Sequence, residues 1–126
     1  MRYISTLVAL ALPAFAMAGG DHGSRGDGPV AEIVTFRLVD GADEAAFLAA
    51  ARGMEPFLRD TGAVVRRTLS KGADGGWTDH IIWTSLSAAE AAAPEIHARP
   101  EAAQFMALIQ QDGEELRHEH ILMQME

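Results

Sequence analysis

Cysteine and asparagine are absent from this 126-residue chain, lysine occurs only at Lys71, and tyrosine only at Tyr3. Without cysteine there is no disulfide, no thiolate metal site and no acylated N-terminal cysteine, even in an oxidising compartment. Basic residues are scarce: ten Lys and Arg stand against 18 Asp and Glu, a formal charge of −8. So acidic a chain lacks the electrostatic footprint for nucleic acid or anionic lipid, and suits a neutral or cationic small molecule or another protein. No serine lies in a G-x-S-x-G context, and GADGG (72–76) lacks the lysine and following helix of a phosphate-binding loop. A nucleophilic triad and a phosphate cradle are therefore unsupported. Aromatic residues make up only 6% of the chain, yet both tryptophans fall within GGWTDHIIWTSLSAAE (75–90).

Long apolar runs are also missing. Arg2, the apolar stretch 4–15 and Ala16-Met17-Ala18 have the layout of a signal peptide over 1–18, and the stretch falls short of the ~20 apolar residues of a membrane span. The expectation is a periplasmic or secreted protein, with no stable membrane association once the signal is cleaved. Residues 19–29 (GGDHGSRGDGP) form a glycine-rich leader with too few apolar side chains to offset its ordering entropy.

One domain, 30–126, remains. VAEIVTFRLV (30–39) is rich in β-branched residues and partly alternating, as a half-buried strand is. Asp43 can cap a helix with an apolar stripe through Phe47, Ala51, Met54 and Leu58; Pro56 kinks it or restarts its last turn, and Gly62 ends it. AVVRRTLSK (63–71) and residues 77–86 form strands joined by GADGG as a hairpin. Ser87-Ala-Ala-Glu90 is a capping box for a short alanine-rich helix that Pro94 should stop. A further helix starts at Pro100, and LRHEHILMQM (116–125) is the last strand.

This β-α-β-β-α-β order predicts a ferredoxin-like α+β domain, an antiparallel four-stranded sheet with helices on one face. The other face reads as apolar in both registers, so a second copy is its expected cover and a twofold homodimer the expected assembly. With that order, EIVTFRLVDGADEAAFLAAA (32–51), WTDHIIWTSLSAAEAA (77–92) and PEAAQFMALI (100–109) together resemble antibiotic biosynthesis monooxygenase (ABM)-type domains of the dimeric α+β barrel superfamily. The resemblance spans residues 30–125 and implies that fold. It leaves activity open, because the superfamily includes cofactor-independent oxygenases of quinol-like aromatics, haem-degrading enzymes and proteins without known activity.

Residues able to carry chemistry cluster on the last two strands. Trp77, Asp79, Ile81 and Trp83 share one face of the third strand and His80 lies on the other. His118 and His120 share a face of the fourth, a spacing that suits two imidazoles on one metal, for which His80, Asp79 or Glu32 would have to supply a third ligand. Solvated or interface histidines are the plainer alternative, as are tryptophans that only anchor a core. For cofactor-free oxygenation a protein must bind an electron-rich aromatic, help deprotonate it and exclude water. His80, His118 and His120 are the candidate bases; Trp83, Trp77, Arg66 (or Arg67) and Glu32 are the candidate ligand contacts. No cofactor is expected, and the alternative is a non-enzymatic periplasmic module binding a ligand, haem or metal. The resemblance implies for haem degradation an asparagine on the first strand, a tryptophan on the third and a histidine on the last helix. Trp83 fits, but the chain has no asparagine, and His97 falls in the loop before that helix.

Overall fold

The computed structural model describes residues 28–126; the signal segment and nearly all of the leader lie outside them. The elements are β1 (Val30–Phe36), α1 (Glu44–Gly53), α2 (Glu55–Asp60), β2 (Val64–Lys71), β3 (Trp77–Trp83), α3 (Leu86–His97), α4 (Pro100–Ala107) and β4 (Glu115–His120). The strands pair antiparallel in the order β2-β3-β1-β4, which is the expected ferredoxin-like arrangement with β1 and β3 central.

Alternation along β1 sends Val30, Glu32, Val34 and Phe36 toward the helices and Ala31, Ile33 and Thr35 to the other side. The core under the helices is aromatic. Phe47 of α1 stacks on Phe105 of α4 at 5.2 Å and meets the edges of Phe36 and Trp77 at 5.7 and 5.0 Å. Trp83, Phe47 and Val30 are fully buried, each contributing on the order of 2 kcal/mol or more through apolar burial.

Local signals explain most boundaries. The Asp43 carboxylate accepts from the Ala46 amide at 3.0 Å and caps α1. Pro56 restarts the helix as α2 after a break at Met54, and Gly62, at φ +69°, ends it in a conformation that glycine adopts without strain.

Several expectations shift. β1 ends at Phe36 instead of residue 39, and Leu38 instead bridges to Ile109. β3 ends at Trp83 because Ser85, not Ser87, caps α3: its side chain accepts from the Ala88 amide at 3.1 Å. Pro94 does not stop α3, which runs on to His97; Ala89, Ala92 and Ile96 pack against the core, and that packing outweighs the single amide bond proline forfeits. β4 ends at His120 instead of residue 125, leaving Leu122, Met123 and Met125 exposed at 93%, 87% and 95%.

The sheet face away from the helices is also less apolar than the sequence suggested. Ala31, Ile33 and Ile82 stand there, outside the core cluster, but His80, Arg66, Thr68 and Arg117 share it. Trp83 and Val34 face the helices.

Candidate functional site

A cavity of about 580 Å³ lies between the helix-facing side of the sheet and the helices. Its volume falls within the range of small-molecule pockets. Its walls are mainly apolar, with Val34 and Ile81 from the sheet, Phe105 and Met106 from α4, and Ile109 and Leu116 beyond. The polar groups in the lining are few.

Glu32 projects into the cavity from β1. Its register partner on β4 is His118, and His118 Nε2 lies 3.0 Å from Glu32 Oε1. Both side chains are largely buried, at 19% exposed for His118 and 16% for Glu32. The pair joins a carboxylate facing the cavity to an imidazole that orients it, so a proton taken by one can be stabilised by the other.

Trp83 lines the same cavity from the end of β3, and its buried Nε1 has no protein acceptor. An indole N–H that stays unpaired in an apolar interior is costly, and buried indoles ordinarily find a partner.

Arg67 and Asp79 form a second polar unit in the wall. Arg67 donates from Nε and Nη2 to the two Asp79 oxygens at 3.0 and 2.7 Å, and from Nη1 to the Ala51 carbonyl at 2.7 Å. The guanidinium also lies 5.5 Å from the Phe105 ring centre. A bidentate pair this fully engaged fixes the wall and holds β2 and β3 to α1.

His97 closes α3 as its last residue and reaches the cavity, so it is helical and not in the loop where the sequence placed it. Glu114 enters from the turn before β4, after Gly113 at φ +81°. Burial raises the Glu114 carboxyl above its ordinary range, and its Oε2 is buried without a partner.

The sequence-named residues divide accordingly. Glu32 and His118 are brought together, and Trp83 lines the same cavity as Glu32. His80 and Arg66 are not: their register partners, Ile33 and Ile82, lie on the opposite face of the sheet. The physical reason for Arg66 is a bulge between Val64 and Arg66, which inserts one residue and turns Arg67 inward instead. Trp77 packs in the aromatic core against Phe47, away from the cavity lining. His120 shares the face of His118 but is exposed at the strand end. Among the described residues no three His, Cys, Asp or Glu side chains converge on one point, with Asp79 clasped by Arg67 and His80 behind the sheet.

Sequence reasoning missed Glu114 and His97. The period-two pattern of Leu116 and His118, carried two residues back, already puts Glu114 on the cavity face. His97 was hidden by the expectation that Pro94 ends its helix.

Among solved structures, SnoaB of Streptomyces nogalater, a cofactor-independent oxygenase, superposes with a TM-score of 0.62 at 19% identity, covering 77% of this chain and 96% of its own. A candidate antibiotic biosynthesis monooxygenase of Nitrosomonas europaea gives 0.62 at 17% identity, covering 78% and 93%. One from Caulobacter crescentus gives 0.61 at 10%, again covering 78% and 93%. No protein-family profile and no curated protein matches the sequence. The likeness establishes the fold: the chain has the architecture of ABM-type domains across nearly the whole length of those proteins.

Proposed function

We propose that this chain is a cofactor-independent monooxygenase that oxidises a flat, phenol- or quinol-like aromatic in the cavity beneath α3 and α4. The observation that carries the proposal is the Glu32–His118 pair at the wall of a largely apolar cavity that Trp83 also lines. The reported cofactor independence of SnoaB, on the same fold, supports the absence of a cofactor.

The chemistry follows from those groups. Glu32, oriented by His118, accepts the phenolic proton, and the Trp83 N–H donates to the developing oxyanion. The electron-rich ring then reduces dioxygen and couples with it at a ring carbon, and the proton returns to give a C–O–O–H group. Loss of water leaves a ring carbonyl: one oxygen atom enters the product, the other leaves as water, and the ring C–H and O–H supply its two hydrogens. The apolar walls exclude bulk water, which strengthens each of these interactions.

Two further parts belong to the same proposal. The protein works as a homodimer, supported by the exposed Leu122, Met123 and Met125. It acts in the periplasm or outside the cell, supported by the signal-like residues 1–18.

The test is aerobic incubation of metal-stripped protein with a panel of polycyclic phenols, following dioxygen uptake and quinone absorbance. Uptake matched by one quinone per dioxygen is expected. No uptake with any panel member, or uptake that requires added metal or flavin, overturns the proposal.

A further inference from the structure

A second hollow, a groove of about 460 Å³, shares Arg67 and Leu58 with the first cavity and runs between α1, α2 and the edge strand β2. Its apolar lining includes Leu48, Leu58, Val64 and Leu69. Val65, the residue that the bulge inserts, also lines it and is 60% exposed. The charges here run against those of the chain, whose formal total is −8. Four of the seven arginines in residues 28–126 line the groove, Arg52, Arg59, Arg66 and Arg67, and Glu55 is its single acid. Two of the four are engaged: Arg67 by Asp79 and the Ala51 carbonyl, and Arg59 by Glu55 at 3.7 Å. Arg52 and Arg66 have no hydrogen-bond or ion-pair partner among the described residues. The last turn of α1 suits the charge of Arg52, but Arg66 stands on a strand and has no helix end to serve.

We propose that this groove binds an organic carboxylate with a small apolar body, the head held by Arg52 and Arg66 and the body laid against Val64, Val65 and Leu69. The site is separate from the oxygenase cavity and does not rest on that reading. A carboxylate is the head group that fits, because a guanidinium presents its N–H groups as a planar fork matching two carboxylate oxygens. An apolar body is called for by Val65, whose exposed side chain loses contact with water when the groove is filled. The first cavity is a poor competitor for such a ligand. Glu32 and Glu114 line it, and its one guanidinium, Arg67, is already paired with Asp79, so an incoming carboxylate meets like charge there.

The test is a nuclear magnetic resonance titration of isotope-labelled protein with 2-naphthoate and, separately, with its neutral analogue 2-naphthamide, at neutral pH and low ionic strength. Naphthoate is expected to shift the amide signals of residues 52–59 and 64–69. Its Kd should be lower than that of the amide by about tenfold or more, as hydrogen bonds to charged groups allow. Added salt should narrow that gap, since the two arginines are exposed. Arg52→Gln combined with Arg66→Gln should bring the naphthoate Kd to that of the amide, with a dispersed spectrum showing that the fold is kept; Arg66→Gln alone replaces it if the double variant does not fold. Four results overturn the site: no naphthoate binding at millimolar concentration, equal wild-type affinities for the two probes, shifts centred on Val34, Ile81 and Phe105 of the first cavity, or a preference for naphthoate that survives the substitutions intact.

Discussion

Arg67 grips both carboxylate oxygens of Asp79 across neighbouring strands, at 3.0 and 2.7 Å, with side chains only 13% and 7% exposed. Removing one partner leaves the other charge buried alone. Asp79→Ala should therefore lower stability by about 3–5 kcal/mol, whereas replacing the pair together with Met and Leu should be near neutral. Chemical denaturation of the two variants beside the wild type checks this. Comparable losses for the single and double variants would mean that the pair fills space and nothing more.

Glu114 gives stability a pH dependence of known sign. Burial raises its carboxyl above the ordinary 4.5, so folding favours the protonated form. Its contribution is complete below the unfolded value and is lost as pH rises through the folded one. Glu114→Gln, which cannot ionise, should match wild type at low pH and become the more stable protein as pH rises above about 4.5. Thermal denaturation of both proteins across acid to neutral pH measures the difference; a gap that narrows with rising pH would contradict the burial of this carboxyl.

Trp83→Phe keeps an aromatic wall and removes the unpaired N–H. Stability should fall by no more than about 2 kcal/mol, since the indole N–H has no protein partner to lose. Turnover should fall about a hundredfold, the size expected when one donor to a developing oxyanion is removed. Steady-state kinetics beside a melting curve separates the two effects.

The residues beyond β4 address assembly. Leu122, Met123 and Met125 contribute nothing to the core of a single subunit. Truncation after Ile121 should leave the melting of the isolated fold intact and weaken dimerisation at least about tenfold, given on the order of 1.5 kcal/mol or more per apolar side chain released from an interface. Analytical ultracentrifugation across a dilution series reads this, and a full-length protein that is already a monomer would refute the assembly.

The element order was legible in the sequence because strand alternation, the Asp43 cap, Pro56, Gly62 and the GADGG turn are local signals, and the strand order follows from the β-α-β-β-α-β plan. Glu32 beside His118 was legible for the same reason: adjacent central and edge strands put them in register. What was not legible depends on events that no local pattern carries. The bulge at Val65 decides which of Arg66 and Arg67 faces inward, and nothing in AVVRRTLSK marks it. Core packing carries α3 through Pro94 and so brings His97 to the cavity, against the local preference of proline. The face of His80 was readable from alternation, but the side of the sheet on which a cavity would form was not.

The oxygenase account turns on Glu32. Replacing it with Gln keeps the size of the side chain and a hydrogen bond to His118 but removes the base. Mass spectrometry of the quinone made under isotopically labelled dioxygen, by wild-type and Glu32→Gln protein free of metal, is the most direct measurement. The account predicts one labelled oxygen atom per product molecule from the wild type and a rate lower by about a hundredfold or more in the variant. Product with unlabelled oxygen, or equal rates from the two proteins, would contradict it.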